Sequence, residues 1–264
     1  LDVYEGSPTS STFFFAVITK LSLFVLLIRL CYSSFYSLQS SWQFYSIWVG
    51  VFSIFIGSFG GLKQRKIKTL LAYSSISHMG YVLVAFSTGT YLGIQMLLFY
   101  LVIYMISGLA VWYILLLLRL KQKNLNKYNK EMGDFVLLRK SNLSLSLALS
   151  LTMFSIAGIP SMIGFLAKLS IFLSVVGISY YFIAFISILF SVISTFYYIR
   201  VVKVLYFENL LVGKLYYPIS TLKTVLFSLL IFSLIFLFIN PTLLYLINDR
   251  VILSLISFSF NEYI

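Results

Sequence analysis

Seven long apolar stretches, separated by short polar or basic connections, constrain the possible fold of this chain more than any other sequence feature. A helix needs about 20 mostly apolar residues to cross a bilayer. The stretches cover residues 10–33, 43–62, 69–88, 92–118, 143–176, 180–206 and 219–240. Only 10% of the 264 residues are charged, against about 25% in a soluble domain. The sequence therefore predicts an all-α polytopic membrane protein, in which residues 1–264 form a single membrane domain with about seven transmembrane helices.

The fifth stretch, residues 143–176, is too long for one straight helix across the membrane. Such a helix would measure about 50 Å, whereas the hydrocarbon core is about 30 Å thick. Gly158 and Pro160 lie in its middle, where proline removes a backbone donor and glycine lets the chain bend. We therefore predict a discontinuous helix, with its break at Gly158–Pro160 and at membrane depth.

Basic residues predict the orientation of these helices. Most of the 19 lysines and arginines lie in three connections that the count of seven places on one side of the membrane. These are Lys63, Arg65, Lys66 and Lys68; Arg119, Lys121, Lys123, Lys127, Lys130, Arg139 and Lys140; and Arg200, Lys203, Lys214 and Lys223. The positive-inside rule then places these loops and the N-terminus on the cytoplasmic or matrix side. The net charge of +12 is explained by this placement, and no nucleic-acid partner is predicted.

Two lysines lie well inside the apolar stretches, where a charge is costly. Lys20 is near the middle of the first stretch and Lys168 follows the break in the fifth. A lysine at the centre of a bilayer costs about 2.5–3.5 kcal/mol on insertion scales, and we expect all seven acidic residues to lie in loops or at the chain ends. A buried lysine without a carboxylate partner can be either charged or neutral, as a proton relay requires. Snorkelling toward the headgroups is the alternative for both lysines.

Further polar side chains recur at helical spacing near these lysines. His78 and Ser74 share one helix face, as do Tyr100 and Tyr104, and Ser155 lies just before the break. Histidine titrates nearest neutrality and can pass a proton between its two ring nitrogens, so His78 is predicted to join the lysines in proton transfer. We expect the hydroxyls to support a hydrated path, although such groups also link helices in membranes without any transport role.

Other kinds of site have no support in the sequence. The single cysteine, Cys31, excludes a disulfide framework or a cysteine zinc site. No glycine-rich nucleotide-binding motif is present. We therefore predict no catalytic, cofactor-binding or metal site in this chain.

Three segments resemble the antiporter-like, proton-pumping membrane subunits of respiratory complex I. They are DVYEGSPT at residues 2–9 followed by Lys20, IKTLLAYSSISHMGY at residues 67–81, and FSIAGIP at 154–160 with GFLAK at 164–168. The segments occur in the order found in that family, and the resemblance spans nearly the whole chain. One departure is Ser161, which replaces the second proline of the family's motif at the break.

The resemblance implies the C-terminal half of an antiporter-like fold and a role in coupling quinone reduction to proton pumping. In that family the residues matching Lys20 and Lys168 belong to a chain of protonatable groups. NADH, FMN, iron–sulfur clusters and ubiquinone are expected in other subunits. We expect the other membrane-arm subunits and membrane lipids as partners, and a separate polypeptide that supplies the N-terminal half, unless this chain is a fragment. The mitochondrial inner membrane is the expected location, with a bacterial plasma membrane as the alternative.

Two other functions stay open at this point. The first is a subunit of a multi-subunit cation/proton antiporter, which would transport sodium without NADH oxidation. The second is a structural scaffold whose lysines no longer carry protons. Changing both lysines would leave pumping intact in the scaffold and reduce it in a proton-translocating subunit.

Overall fold

The computed structural model describes residues 2–118, 131–136, 138–208 and 221–260, and most of them are helical. The helices that build the fold are α1 (Asp2–Gly6), α2 (Thr9–Ser34), α3 (Gln39–Leu62), α4 (Ile67–Phe86), α5 (Tyr91–Leu117), α6 (Leu143–Ala157), α7 (Ile163–Val176), α8 (Tyr181–Tyr206), α9 (Thr221–Ile239) and α10 (Thr242–Phe260). Short helical turns at Tyr36–Leu38, Met132–Phe135 and Leu138–Ser141 connect them. Helix α2 widens into π turns at Phe14–Ile18 and Leu30–Ser34.

The prediction of a polytopic, all-α membrane protein is confirmed. In the described ranges, six helices are long and apolar enough to cross a membrane: α2, α3, α4, α5, α8 and α9. The shorter α6 and α7 replace the fifth stretch as two half-helices. Each of these helices agrees with its predicted stretch to within about one turn. The basic residues at 119–130, Lys214, and the start of the last stretch at 219–220 lie outside the described residues.

Helix α10 has no counterpart among the predicted stretches. Asn248, Asp249 and Arg250 interrupt its apolar sequence, so the run is too polar to be recognised as a span. The expectation that every acidic residue lies in a loop or at a chain end is wrong for Asp249, which lies inside this helix. Asp249 is partly buried, and its carboxylate accepts hydrogen bonds from Gln95 of α5 at 2.6 Å and from the hydroxyl of Tyr91, at the start of α5, at 3.3 Å.

Helix α4 forms the centre of the bundle. It is the least apolar of the six long helices, yet 78% of its most apolar window is buried, against 17% in α2 and in α9. In a membrane the outer helices face lipid and polar side chains are placed inside. The serines and the histidine of α4 are therefore enclosed by α3, α5, α7 and α8, which all contact it.

Close backbone approach joins α3 to α4. At Gly57 an added Cβ atom would lie 2.5 Å from the backbone nitrogen of Ser77, which is too close for any larger residue. At Gly80 it would lie 2.3 Å from the hydroxyl of Ser53 on α3. Small residues at such contacts are typical of helix packing in membranes, and they fix the position of α4.

The structure contains the predicted break between α6 and α7. Gly158 ends α6 in the left-handed region with φ of +81°, a conformation that glycine adopts without steric cost. After Pro160, Ser161 has φ of +95°. Proline cannot adopt that angle, so Ser161 preserves the break in this chain. The halves then pack closely, since an added Cβ at Gly164 of α7 would lie 1.8 Å from the carbonyl oxygen of Ser155.

The described basic connections lie at one end of the bundle. Lys66 forms an ion pair with Glu5 of α1, and the carbonyl of Arg65 accepts a hydrogen bond from the backbone of Met132 at 2.9 Å. Arg200 of α8 donates to the carbonyl of Leu62 at 3.2 Å. We call this the basic end, and the grouping agrees with the expectation that these connections lie on one side of the membrane.

Candidate functional site

Lys168 is buried on α7, where it faces the end of α6. It is only 6% exposed, and its Nζ atom donates to the carbonyl oxygen of Ala157 at 2.6 Å. The last carbonyls of a helix lack partners within the helix and carry the negative end of its dipole. The ring of Tyr81 contributes a cation–π contact, with Nζ 5.8 Å from the ring centroid. Among the described residues no carboxylate pairs with Lys168, so carbonyl and aromatic groups stabilise its ammonium form.

His78 is held on both sides by tyrosine hydroxyls. Its ring is buried, with Nδ1 lying 2.5 Å from the hydroxyl of Tyr100 on α5. The other nitrogen, Nε2, lies 3.0 Å from the hydroxyl of Tyr198 on α8. A neutral imidazole has one donor and one acceptor nitrogen. One tyrosine therefore donates to the ring while the other accepts from it.

A small buried cavity joins these two centres. It offers about 20 Å³ to the centre of a water molecule, and about 10–15 Å³ is enough for one water. The hydroxyl of Ser155 is fully buried and has no hydrogen-bond partner among the described residues. The cavity is therefore polar enough to hold water. Its lining consists of His78, Tyr100, Ile103, Tyr104, Ser107, Ser155, Ile156, Gly164, Ala167 and Lys168.

Lys20 lies apart from this cavity. It is partly buried on α2, and its Nζ atom is 5.9 Å from the ring centroid of Tyr4 on α1. Tyr104 contacts both regions, because its ring centroid is 5.2 Å from that of His78 and its hydroxyl donates to the carbonyl of Ala16 on α2 at 3.5 Å. The structure thus brings Lys168, His78, Tyr100, Tyr104 and Ser155 together as one group, with Lys20 beyond Tyr104.

Ser74 does not line the cavity beside His78. Its hydroxyl donates to the carbonyl of Leu71 at 2.8 Å. Ser74 and His78 share a face of α4, as expected from their spacing. They do not share the cavity, because Ser74 is not among the residues that line it.

The basic end holds α1 against the start of α4. Lys68 is 2% exposed and donates from Nζ to the carbonyl of Ser7 at 2.8 Å, while Lys66 and Glu5 form an ion pair nearby. Tyr4 of α1 is partly buried, and this burial raises the pKa of its phenol above the ordinary value of 10.0. Its ring faces the ammonium group of Lys20.

Sequence reasoning missed Tyr198, Tyr4 and Tyr81. All three contribute an aromatic ring or a hydroxyl to the lysines or to His78. The chain contains 20 tyrosines, and spacing alone does not tell which of them face the bundle interior. For Tyr198, the sequence offered one indication of a buried polar role: it follows a second tyrosine, Tyr197, and lies two residues before Arg200 in a mostly apolar helix.

This group of side chains suits proton transfer rather than metal binding. In the described part of the chain, no group of three or more His, Cys, Asp or Glu residues is placed to hold a metal ion. Lysine, imidazole and hydroxyl groups can instead each give or take a proton, or orient a water molecule that does so.

Comparison with known families matches the region that contains all three proton-transfer candidates. The family described as NADH:quinone oxidoreductase/Mrp antiporter, TM, matches residues 1–194. NADH-ubiquinone oxidoreductase chain 2 of Marchantia polymorpha is 41% identical over 254 residues, covering 96% of this chain and 50% of its own length. NADH-quinone oxidoreductase subunit N of Pelagibacter ubique is 38% identical over 208 residues, covering 79% of this chain and 43% of its own length. The chain thus spans about half the length of these curated relatives.

Solved structures share the same arrangement of helices. A chain of respiratory complex I from Thermus thermophilus with bound aureothin aligns with a TM-score of 0.78 and 24% identity, covering 92% of this chain and 52% of that one. A chain of the Mrp complex from Dietzia sp. DQ12-45-1b aligns with a TM-score of 0.82 and 16% identity, covering 96% of this chain and 54% of that one. Both likenesses concern the fold alone, and they confirm the prediction of half of an antiporter-like fold.

Proposed function

Because the chain belongs to the NADH:quinone oxidoreductase/Mrp antiporter family, we propose that it is a proton-translocating membrane-arm subunit of NADH:ubiquinone oxidoreductase, respiratory complex I. Relatives named chain 2 and subunit N support subunit 2 as its place in that complex. The observation that carries the proposal is the buried cavity shared by Lys168 and His78. A lysine and a histidine on one water-sized cavity form a proton-transfer unit between α4 and α7.

Lys168 is the group that takes up and releases the proton. The carbonyl of Ala157 and the ring of Tyr81 stabilise the protonated form, while burial favours the neutral form. A change in the local field, produced by quinone reduction elsewhere in the complex, then shifts the balance between the two forms. One water bound by the hydroxyl of Ser155 would connect Lys168 with the histidine side of the cavity.

Lys20 is the second proton-carrying lysine. Tyr104 lies between His78 and α2, because its ring centroid is 5.2 Å from that of His78 and its hydroxyl donates to the carbonyl of Ala16 on α2. The proton then moves parallel to the membrane between the two lysines, with His78 between them. The cation–π contact with Tyr4 orients the Lys20 ammonium on the side of the basic end.

The other components that the proposed complex needs, including its redox cofactors, belong to other polypeptides. The relatives are about twice as long as this chain; a separate polypeptide is proposed to supply the N-terminal half of subunit 2, unless this sequence is a fragment of a longer protein. NADH, FMN, iron–sulfur clusters and ubiquinone are placed in other subunits, and this chain contacts membrane-arm subunits and lipids. The proposed location is the mitochondrial inner membrane with the basic end toward the matrix, by the positive-inside rule.

A subunit of a cation/proton antiporter is the second candidate. The likeness to a chain of the Mrp complex favours it, although at 16% identity this likeness is one of fold. Sodium-dependent transport without NADH oxidation would identify this function.

Two measurements test the proposal. Native electrophoresis of gently solubilised membranes, with NADH-dehydrogenase staining and peptide mass spectrometry, should find this chain in the stained band beside a polypeptide resembling the N-terminal half of subunit 2.

In the assembled complex, Lys168→Met should lower the proton yield per NADH. Lys203→Met, at an exposed lysine of α8, is the matched control and should leave the yield unchanged. An unchanged yield in Lys168→Met, or recovery of the chain only in a smaller assembly without NADH activity, would refute the proposal.

A further inference from the structure

We propose that a single phospholipid with a net negative headgroup binds on the outer surface where α3 and α8 meet. Arg200 at the basic end holds its phosphate, and its acyl chain lies over phenylalanine rings of both helices. We call this surface the α3–α8 seam; it consists of Phe55, Phe59, Leu62 and Lys63 on the α3 side, and of Phe190 and Arg200 on the α8 side. None of these residues lines the cavity of the candidate site, so the inference goes beyond the proposed function and does not depend on it.

Arg200 is an exposed residue whose side chain is held against the neighbouring helix. Its Nη1 atom donates to the carbonyl oxygen of Leu62 at 3.2 Å. Leu62 is the last residue of α3, and the last carbonyls of a helix lack partners within the helix. A guanidinium has five N–H donors in a planar fork, so the donors not used by Leu62 remain available for phosphate oxygens, which this fork matches well. Because the side chain is already held in place, binding costs less conformational entropy.

The charges at this end of the seam favour an anion. Lys63 directly follows Leu62 and is exposed, so it adds a second cation. Among the described residues, neither Arg200 nor Lys63 pairs with a carboxylate, and Glu208 lies beyond the last residue of α8. The headgroup of phosphatidylglycerol carries the phosphate charge alone, whereas the choline of phosphatidylcholine would add a positive charge beside the two cations. The seam therefore distinguishes lipids by the net charge of the headgroup.

The apolar part of the seam has the length of one leaflet. Phe190 and Arg200 are ten residues apart, which is about 15 Å along a helix, or half of a hydrocarbon core about 30 Å thick. The ring centroid of Phe190 lies 5.6 Å from that of Phe55 and 5.9 Å from that of Phe59. Phe55 is 46% and Phe59 45% exposed, so the rings present a continuous apolar surface. Any acyl chain can cover them, because lipid tails are equally apolar, and the selection of one lipid is therefore made by Arg200.

The test follows one photoactivatable lipid on the assembly purified through an affinity tag on this chain, whichever complex that assembly is. The probe is phosphatidylglycerol with a diazirine in one acyl chain, incorporated into phosphatidylcholine nanodiscs, and peptide mass spectrometry locates the crosslinks. We expect crosslinks at Phe55, Phe59 and Phe190 in the parent. Arg200→Gln should lower them about tenfold, as expected when a charged hydrogen-bond donor is removed. Lys203→Gln removes an exposed positive charge from the same helix and should keep the parent level.

Two further comparisons identify the ligand. Unlabelled phosphatidylglycerol should displace the probe, whereas additional phosphatidylcholine and soluble glycerol 3-phosphate should not. Arg200→Lys keeps the charge without the planar fork and should give an intermediate level of crosslinking. It replaces Arg200→Gln in the comparison if the glutamine variant does not assemble.

Several results would overturn the lipid site. They are a parent-like level in the Arg200 variants, equal losses in Arg200→Gln and Lys203→Gln, and equal displacement by phosphatidylcholine and phosphatidylglycerol. Displacement by glycerol 3-phosphate would show that the seam binds a soluble anion instead of a lipid. None of these measurements involves proton transfer, so the proposed function is tested separately by Lys168→Met.

Discussion

The Nζ atom of Lys168 lies 2.6 Å from the carbonyl oxygen of Ala157, so the lysine of one half-helix closes the end of the other. Lys168 is therefore both a structural contact and a proton-transfer candidate at the same break. The two roles need different properties, because the contact requires only a donor whereas proton transfer requires a group that can release its proton.

Lys168→Arg separates these two roles. The guanidinium keeps a cationic donor near Ala157 and is not deprotonated in proteins, so we expect the complex to assemble with NADH oxidation retained and the proton yield per NADH reduced. Native electrophoresis and a pH-indicator assay in sealed vesicles measure the two properties. A normal proton yield in this variant would show that release of a proton from position 168 is not required.

Gly164→Ala should prevent the two half-helices from packing. The new Cβ would lie 1.8 Å from the carbonyl oxygen of Ser155, a backbone atom that cannot turn aside. Overpacking of this kind costs about 1–3 kcal/mol or more, and we expect less assembled complex on a native gel. Gly177→Ala, at the other end of α7, is the matched control, since its nearest neighbours are at 3.4 and 3.5 Å. Equal assembly of the two variants would contradict the packing at the break.

Ser161→Pro should destabilise the chain even though the resembling family carries proline at that place in its motif. The φ angle of Ser161 is +95°, whereas proline is fixed near −65°. Ser161→Gly should instead be neutral or stabilising, by up to about 1–2 kcal/mol, because glycine removes the left-handed strain. Thermal inactivation of the solubilised complex ranks the variants. A proline variant as stable as the parent would show that the loop has another low-energy conformation.

The two lysine contacts at the basic end should differ in strength. Glu5 and Lys66 are 32% and 43% exposed, and exposed ion pairs contribute about 0.2–1 kcal/mol, so Glu5→Gln should have a small effect that salt abolishes. Lys68 is buried and donates to Ser7, and Lys68→Met should cost about 1.5–3 kcal/mol, the range for a hydrogen bond from a charged group. Limited proteolysis of α1 measures both variants. A larger effect of Glu5→Gln than of Lys68→Met would show that the ion pair stabilises α1 more than the Lys68 hydrogen bond does.

Tyr4 should make the stability fall at alkaline pH. Burial raises the pKa of its phenol above the ordinary value of 10.0, so above that pH the folded state keeps a proton that the unfolded chain has lost. The free energy of unfolding then decreases as pH rises through this range. Tyr4→Phe removes the titrating group and should reduce the decrease, whereas Tyr36→Phe, at an exposed tyrosine, should not. Identical pH profiles for the parent and Tyr4→Phe would exclude a role for Tyr4 burial.

Residue types that are costly in lipid were identified from the sequence alone. Lys168, His78 and Ser155 stand out because burial of such groups has few structural reasons, and the structure places all three on one cavity. The break was predictable for a similar reason, since Gly158 and Pro160 are the residues that a continuous helix tolerates least.

The rest depends on which way each helix face turns. In the sequence Tyr198 cannot be told apart from many other tyrosines. Only the packing of α8 on α4 shows that its hydroxyl lies beside His78. Lys20 was predicted as a proton-transfer residue from its depth in the first stretch, but the sequence did not indicate that it would lie near Tyr4 and outside the cavity. Helix α10 escaped detection because Asn248, Asp249 and Arg250 interrupt its apolar sequence, and the contacts of Asp249 with Gln95 and Tyr91 are tertiary ones that no local pattern reveals.

The enclosure of α4 by its neighbours also bears on how the chain enters the membrane. A segment with the lowest hydropathy of the six long helices is a weak substrate for insertion by itself, because its serines and histidine would face lipid acyl chains. It follows α3 after a connection of only four residues, 63–66, and the glycine contacts between them form without any later helix. The two helices are thus suited to enter as one hairpin during synthesis. Substitutions at Gly57 or Gly80 would accordingly impair insertion into the membrane. Such variants would be present in smaller amounts in the membrane, and their proton transfer would not be slower.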